Sequence, residues 1–178
     1  MKHITGSLLL GAMLTFGACS NRTKAPDVAD NIHNSLDQAG FKDVKVDQDR
    51  DKGVVTLKGT VPSDGEKARA ESIAKAQAAG EVVANEIAVV PPGNESAAKT
   101  INSDIDKAID KNLDAALVQS RLNKAVKYSV KNGVVTLKGR VDSQAARSEA
   151  AHIAAGVPNV SQVVNEVEVR HIRATSSR

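Results

Sequence analysis

The stretch GVVTLKG stands at residues 53–59 and again, unchanged, at residues 133–139. With the chain shifted by those 80 residues, 53–90 pairs with 133–170 without a gap. Beyond the heptapeptide the identities are Val61/Val141, Ser63/Ser143, Ala70/Ala150, Ile73/Ile153, Ala74/Ala154, Val83/Val163, Asn85/Asn165, Glu86/Glu166 and Val89/Val169. Two copies are too few for a solenoid, in which each repeat leans on its neighbours. Each copy must therefore build a core of its own.

The heptapeptide reads as a strand. Val55, Leu57, Gly59 and Val61 alternate with Thr56, Lys58 and Thr60, which gives one buried face, and Val135, Leu137, Gly139 and Val141 do the same. Asn132-Gly133, just before the second copy, is the strongest short hairpin signal a sequence offers. Its partner strand carries Val126, Tyr128 and Val130. In the first copy Val44 and Val46 take this part, followed by a turn two residues longer and rich in charge, DQDRDK. After the heptapeptide, Ser63-Asp64-Gly65-Glu66 spells a capping box, and Ser143 offers a helix cap without the reciprocal Glu. Ala70, Ile73, Ala74 and Ala150, Ile153, Ala154 then fall on one helical face. A last strand runs through Val83, Asn85, Ile87, Val89 and through Val163, Asn165, Val167, Val169.

Each copy is preceded by a helix, marked by Val28, Ile32 and Leu36 in the first and by Ile105, Ile109, Leu113 and Leu117 in the second. The expected fold class is α+β: two tandem αββαβ domains, each a three-stranded mixed sheet packed against two helices. Thr56, Lys58, Thr136 and Lys138 face away from the helices. The expected division is a signal peptide at 1–18, a lipidated tether at 19–26, a first domain at 27–91, a linker at 92–101, a second domain at 102–171 and a tail at 172–178. Pro91-Pro92-Gly93-Asn94 punctuates the join.

The opening MKHITGSLLLGAMLTFGACSN has the anatomy of an export signal: Lys2, an apolar run over 4–16, then Gly17 and Ala18 before Cys19. The run is too short for a comfortable membrane-crossing helix, which needs about 20 residues. FGAC resembles the lipobox of bacterial lipoproteins, with Phe16 where Leu is usual. That resemblance implies that Cys19 becomes the lipidated mature N-terminus, and that Ser20 behind it directs the protein to the outer membrane, facing the periplasm. A soluble periplasmic protein is the alternative. The tether that follows reaches only about 25 Å at ~3.3 Å per residue, so the first domain would sit close to the bilayer.

Composition narrows the chemistry. Aromatic residues make up 2% of the chain, so the cores must be aliphatic. Cys19 is the one cysteine, which excludes an intrachain disulfide. His33, His152 and His171 lack metal-ligand or carboxylate spacing, and no nucleophile elbow or phosphate loop occurs. Asp47, Asp49 and Asp51 share one turn with Arg50 and Lys52, which makes a solvated turn rather than a calcium loop. No catalytic residue, cofactor or metal is expected. The formal charge is +3, but Ser20–Val90 carries 10 Lys/Arg against 12 Asp/Glu, while Lys99–Arg178 carries 13 against 8. An anionic surface would therefore meet the second domain first.

The pattern Gly-Val-Val-Thr-Leu-Lys-Gly-x-Val, a helix, then Val-x-Asn-x-(Ile/Val)-x-Val, resembles the BON domain, present twice over nearly all of 27–171. With the lipobox, the chain resembles the dual-BON outer-membrane lipoproteins, relatives of the osmotically induced periplasmic BON proteins. The resemblance implies a non-enzymatic protein that binds anionic phospholipid and supports envelope integrity under stress. It also implicates the second domain's leading helix, where Lys107 and Lys111 lie one turn apart among Asp104, Asp106, Asp110 and Asp114. Just after that helix, Arg121, Lys124 and Lys127 form a basic cluster, each residue worth ~1 kcal/mol near an anionic membrane. These five are the candidate lipid contacts. A membrane-tethered protein-interaction or chaperone-like adaptor, partnering other envelope proteins, is the competing expectation, and the export signal argues against nucleic acid.

Overall fold

The computed structural model describes residues 24–170. The export signal, Cys19, most of the tether, and the tail lie outside the described residues. The first unit runs α1 (Ala29–Gln38), β1 (Lys45–Asp49), β2 (Val54–Lys58), β3 (Thr60–Val61), α2 (Asp64–Gln77), β4 (Val82–Asn85) and β5 (Ala88–Val89). The second runs α3 (Glu95–Gln119), β6 (Val126–Lys131), β7 (Val134–Val141), α4 (Gln144–Ala155) and β8 (Gln162–Val169). This is the expected α+β fold, twice.

In each unit the heptapeptide is the central strand. β2 pairs antiparallel with β1 and parallel with β4, and β7 does so with β6 and β8. The parallel register is the same in both copies: Val54 faces Val82, and Val134 faces Gln162. In the second unit the pairing is unbroken. In the first it lapses after Leu57 and resumes in register with β3 and β5, Thr60 opposite Ala88. The Asn132-Gly133 turn has φ of 47° and 79°, the two positive values that a type I′ hairpin needs. The first hairpin closes at Asp49–Val54 and has the longer turn that its sequence announces.

The last glycine of the heptapeptide is dictated by a close approach. Gly59 and Gly139 have φ of 130° and 129°, a region glycine alone occupies readily. A Cβ on Gly59 would stand 2.2 Å from the Asp43 carbonyl oxygen, and one on Gly139 would stand 2.1 Å from that of Ala125. The chain entering each hairpin lies against the central strand at this point.

Both cores are largely aliphatic, with Phe41 the buried aromatic of the first and Tyr128 packed against the second. In the first, Ile32 and Leu36 of α1 meet Val55, Leu57, Val83 and Ile87, with Ala70 and Ala74 letting α2 lie close to the sheet. In the second, Ile109, Leu113 and Leu117 of α3 meet Val135, Leu137 and Val167, with Ala150 and Ala154 in the same role. Ser63 and Ser143 cap α2 and α4 by accepting from the Glu66 and Ala146 amides. The repeated asparagines clamp the crossover helix to the last strand. Asn85 Nδ2 donates to the Lys67 carbonyl and to Glu71, while its Oδ1 accepts from the Ile87 amide. Asn165 repeats this with the Arg147 carbonyl and the Val167 amide.

α3 is far longer than its counterpart α1. The stretch 92–101, expected as a linker, is helical from Glu95 onward. The 25-residue helix is about 37 Å long at 1.5 Å per residue. Its first turns run past the core of the second unit, and Asn102 Nδ2 donates to the Val89 carbonyl of the first unit at 3.4 Å.

Candidate functional site

The alternation of the heptapeptide gives no role to Val54 and Val134, which point away from the helices. The structure buries both. Val54 and Ala84 of the first unit pack against Val134 and Val164 of the second, an apolar contact between the outer faces of the two sheets. These are the same two positions in each copy, 80 residues apart, so the contact is built from one surface used twice. Thr136, on the same outer face, is 7% exposed.

Polar bonds fix how the units dock. Gln162 lies along β4: its Oε1 accepts from the Asn85 amide at 3.0 Å and its Nε2 donates to the Val83 carbonyl at 2.7 Å. The β6–β7 turn reaches the first unit through Asn132 Nδ2, which donates to the Glu86 carbonyl at 2.7 Å. Asp106 of α3 holds that turn, accepting from the amides of Asn132 and Gly133 at 2.8 and 2.9 Å. On the other hairpin, Lys52 pairs with Glu168. Each hairpin turn thus grips the last strand region of the other unit.

Beside the apolar contact lies a cleft of about 930 Å³. One wall is the outer face of the first sheet, with Lys58, Thr60, Glu86, Ala88 and Val90. The other is α3 together with the end of β6, contributing Lys99, Lys107, Lys111, Ser129 and Lys131. Five lysines line it against three carboxylates, Glu86, Asp106 and Asp110, a formal excess of two positive charges. Asp106 is occupied by the turn amides. Burial pushes the Glu86 carboxyl above the ordinary carboxylate range, although Lys58 and Lys131 pull the other way. Lys58 bonds Asp47 at 2.6 Å, which together with that charge raises its own pKa. Lys107 pairs with Asp104 at 3.0 Å. Lys99, Lys111 and Lys131 form no ion pair among the described residues.

The candidate residues read from sequence divide in two. Lys107 and Lys111 stand on the cleft wall. Arg121, Lys124 and Lys127 are exposed but lie outside its lining, on the turn after α3 and the start of β6. Arg121 is roughly 15 Å beyond Lys111 along the helix direction. Lys58 and Lys131 were missed because docking rather than spacing brings them to the cleft, and Lys99 because its stretch was expected to be a linker rather than the start of α3. The signal that could have found them is Val54/Val134, an apolar residue repeated on a face that should be wet.

No group of three or more His, Cys, Asp or Glu side chains is placed to hold a metal ion among the described residues. Nor is any described helix long and apolar enough to cross a membrane. The family model of the BON domain matches twice, at residues 25–91 and 101–171. The chain belongs to the BON domain family. BON domains are non-catalytic binding modules of envelope and periplasmic proteins. The dual-BON chain is 35% identical over 122 residues to an "Uncharacterized protein in gshII 5'region" of Anaplasma centrale, covering 67% of this chain and 78% of that one. Two solved structures of CdsD, a structural protein of the type III secretion system of Chlamydia trachomatis, also align. One is its C-terminal domain, at 14% identity and a TM-score of 0.34 over 84% of this chain and all of that one. The other is at 15% identity and a TM-score of 0.35, over 82% and 93%.

Proposed function

We propose that this dual-BON chain is a non-enzymatic lipoprotein of the bacterial outer membrane. Acyl chains on Cys19 hold it to the membrane, and it meets anionic phospholipid through the basic side chains of the second unit, supporting envelope integrity under stress. The observation that carries the reading is the distribution of free charge. Lys107, Lys111, Arg121, Lys124 and Lys127 are all exposed on that unit. Lys111, Arg121 and Lys124 have no ion pair among the described residues, so little has to be broken before an anion is met. At ~1 kcal/mol per basic residue the attraction is useful without being tight, which suits a protein already anchored by lipid.

The test uses residues 20–178, which contain both cores. Vesicles of phosphatidylglycerol in phosphatidylcholine should retain the protein, pure phosphatidylcholine should not, and added salt should release it. Equal retention on both would overturn the reading. In cells, Cys19→Ala should move the protein from the membrane to the soluble fraction. Continued membrane retention would contradict the anchor, and recovery of crosslinked proteins without lipid would favour the adaptor.

A further inference from the structure

The two copies treat the outermost strand of their hairpin differently. In the first, the residues just before α1 lie along β1. The Ala25 amide donates to the Arg50 carbonyl at 2.9 Å, and the Gln48 side chain bonds the Val28 amide and the Pro26 carbonyl. Asp27 of this segment pairs with Arg50 at 3.4 Å. In the second copy the chain is helical from Glu95 onward, so no such segment lies along β6. The Arg140 amide donates to the Ala125 carbonyl, which sets the alternation of that hairpin. Odd residues of β6 bond β7, and Tyr128 and Val130 turn their backbone amides and carbonyls the other way. These four groups have no hydrogen-bond partner among the described residues. The cleft lies on this side, lined by Ser129, Val130 and Lys131.

The walls of the cleft say what kind of segment fits. α3 contributes Lys99, Lys107 and Lys111. The first-unit wall is apolar at Ala88 and Val90, where the repeat places Glu168 and Arg170 in the second unit. An extended peptide points successive side chains to opposite sides. Laid along β6, it would turn one set towards the α3 lysines and the other towards Ala88 and Val90. A lipid headgroup offers the charge but no backbone with which to pair. We propose that the cleft takes an extended segment of a partner protein, acidic residues alternating with apolar ones, added as a fourth strand beside β6. The first copy fills the same place with its own chain, an acidic residue included. The proposal names a protein partner in addition to the membrane, and it leaves Arg121, Lys124 and Lys127 to the lipid.

The test uses residues 20–178 and a synthetic peptide of alternating Glu and Val, as long as β6. Controls are its Lys/Val counterpart, the Glu peptide with prolines in place of valines, and phosphatidylglycerol vesicles. Affinity is read by calorimetry, and pairing by hydrogen exchange of the Tyr128 and Val130 amides. The Glu/Val peptide should slow both amides by about tenfold or more, and the two control peptides should not. Lys99→Glu/Lys111→Glu changes two exposed residues that form no ion pair among the described residues, and should weaken the peptide roughly tenfold. Arg121→Glu/Lys124→Glu/Lys127→Glu should bind it as the parent does. No binding, or binding with both amides exchanging as before, overturns the added strand. Loss of the peptide in the triple variant puts the contact outside the cleft and overturns it too. Amides already slow in the parent mean that a second copy or the chain's own residues fill the place, and vesicles that slow them give the cleft to lipid; either result excludes the peptide. Vesicle binding lost in the triple variant, with the peptide still protecting both amides there, upholds the peptide and the lipid reading together.

Discussion

Replacing Gly139 by Ala should bring the second unit close to unfolding at room temperature. Two costs add. A side chain at φ 129° is strained by about 1–3 kcal/mol. Its Cβ would also stand 2.1 Å from the Ala125 oxygen, a backbone atom that no side-chain rotation can move. An ordinary carbon–oxygen contact is about 3.3 Å, so the chain entering β6 must retreat by about 1 Å. Crowding of that kind costs a further ~1–3 kcal/mol. A unit of roughly 70 residues has about 3.5–10 kcal/mol in all. A loss of about 4 kcal/mol would lower its melting temperature by roughly 15–30 °C. The assay is favoured by composition: Tyr128 is the one tyrosine and there is no tryptophan, so tyrosine fluorescence reports the second unit alone. Urea unfolding followed by that signal should shift strongly in Gly139→Ala and little in Gly59→Ala, whereas circular dichroism should register both. A loss below about 1 kcal/mol in Gly139→Ala would refute the close-approach argument.

Tyr128 makes a second prediction. Burial, and then Asp110 and Asp114, raise its phenol to about 12, while its hydroxyl donates to the Asp110 carbonyl at 3.1 Å. The folded state therefore holds the proton more tightly than the unfolded one. This contribution to stability is whole below pH ~10 and is lost as pH rises towards 12. An alkaline titration of tyrosinate absorbance with a midpoint near 10 in the folded protein would contradict it. Val134→Asp should undock the units while leaving each urea midpoint nearly unchanged. Scattering should show an extended particle, and one as compact as the parent would be the contrary result. Asn165→Leu strands the Arg147 carbonyl and the Val167 amide and should cost the second unit about 2–4 kcal/mol by urea unfolding. A neutral outcome would mean that the clamp is dispensable.

The sequence carries the fold because its signals are local and doubled. The I′ turn at Asn132-Gly133, the caps at Ser63 and Ser143, and the alternation of Val55 and Leu57 are each decided within a few residues, and the caps and the alternation appear in both copies. The early start of α3 was hidden by Pro91-Pro92-Gly93, which punctuates the chain without saying how soon a helix resumes. The site was legible only in part. Lys107 and Lys111 show as neighbours on a helix, but Lys58 and Lys131 become neighbours only when two outer sheet faces meet. That meeting depends on Val54, Ala84, Val134 and Val164, which are scattered in sequence and apolar on a face where alternation calls for polar residues.

The Gln162 side chain has a consequence beyond holding the units together. Its amide group offers β4 one acceptor and one donor, the pair that the backbone of an added strand would offer. A free strand edge is a template for pairing with other chains, and proteins usually blunt it with charge, proline or a bulge. Here the plug is a borrowed imitation of a peptide bond, supplied by the neighbouring unit. The second copy receives no such plug in return: Val82, the residue at the matching position, is left 48% exposed. Resistance to edge-to-edge aggregation in the first unit is therefore a property of the tandem, and a chain cut between the two would lose it even if both halves folded.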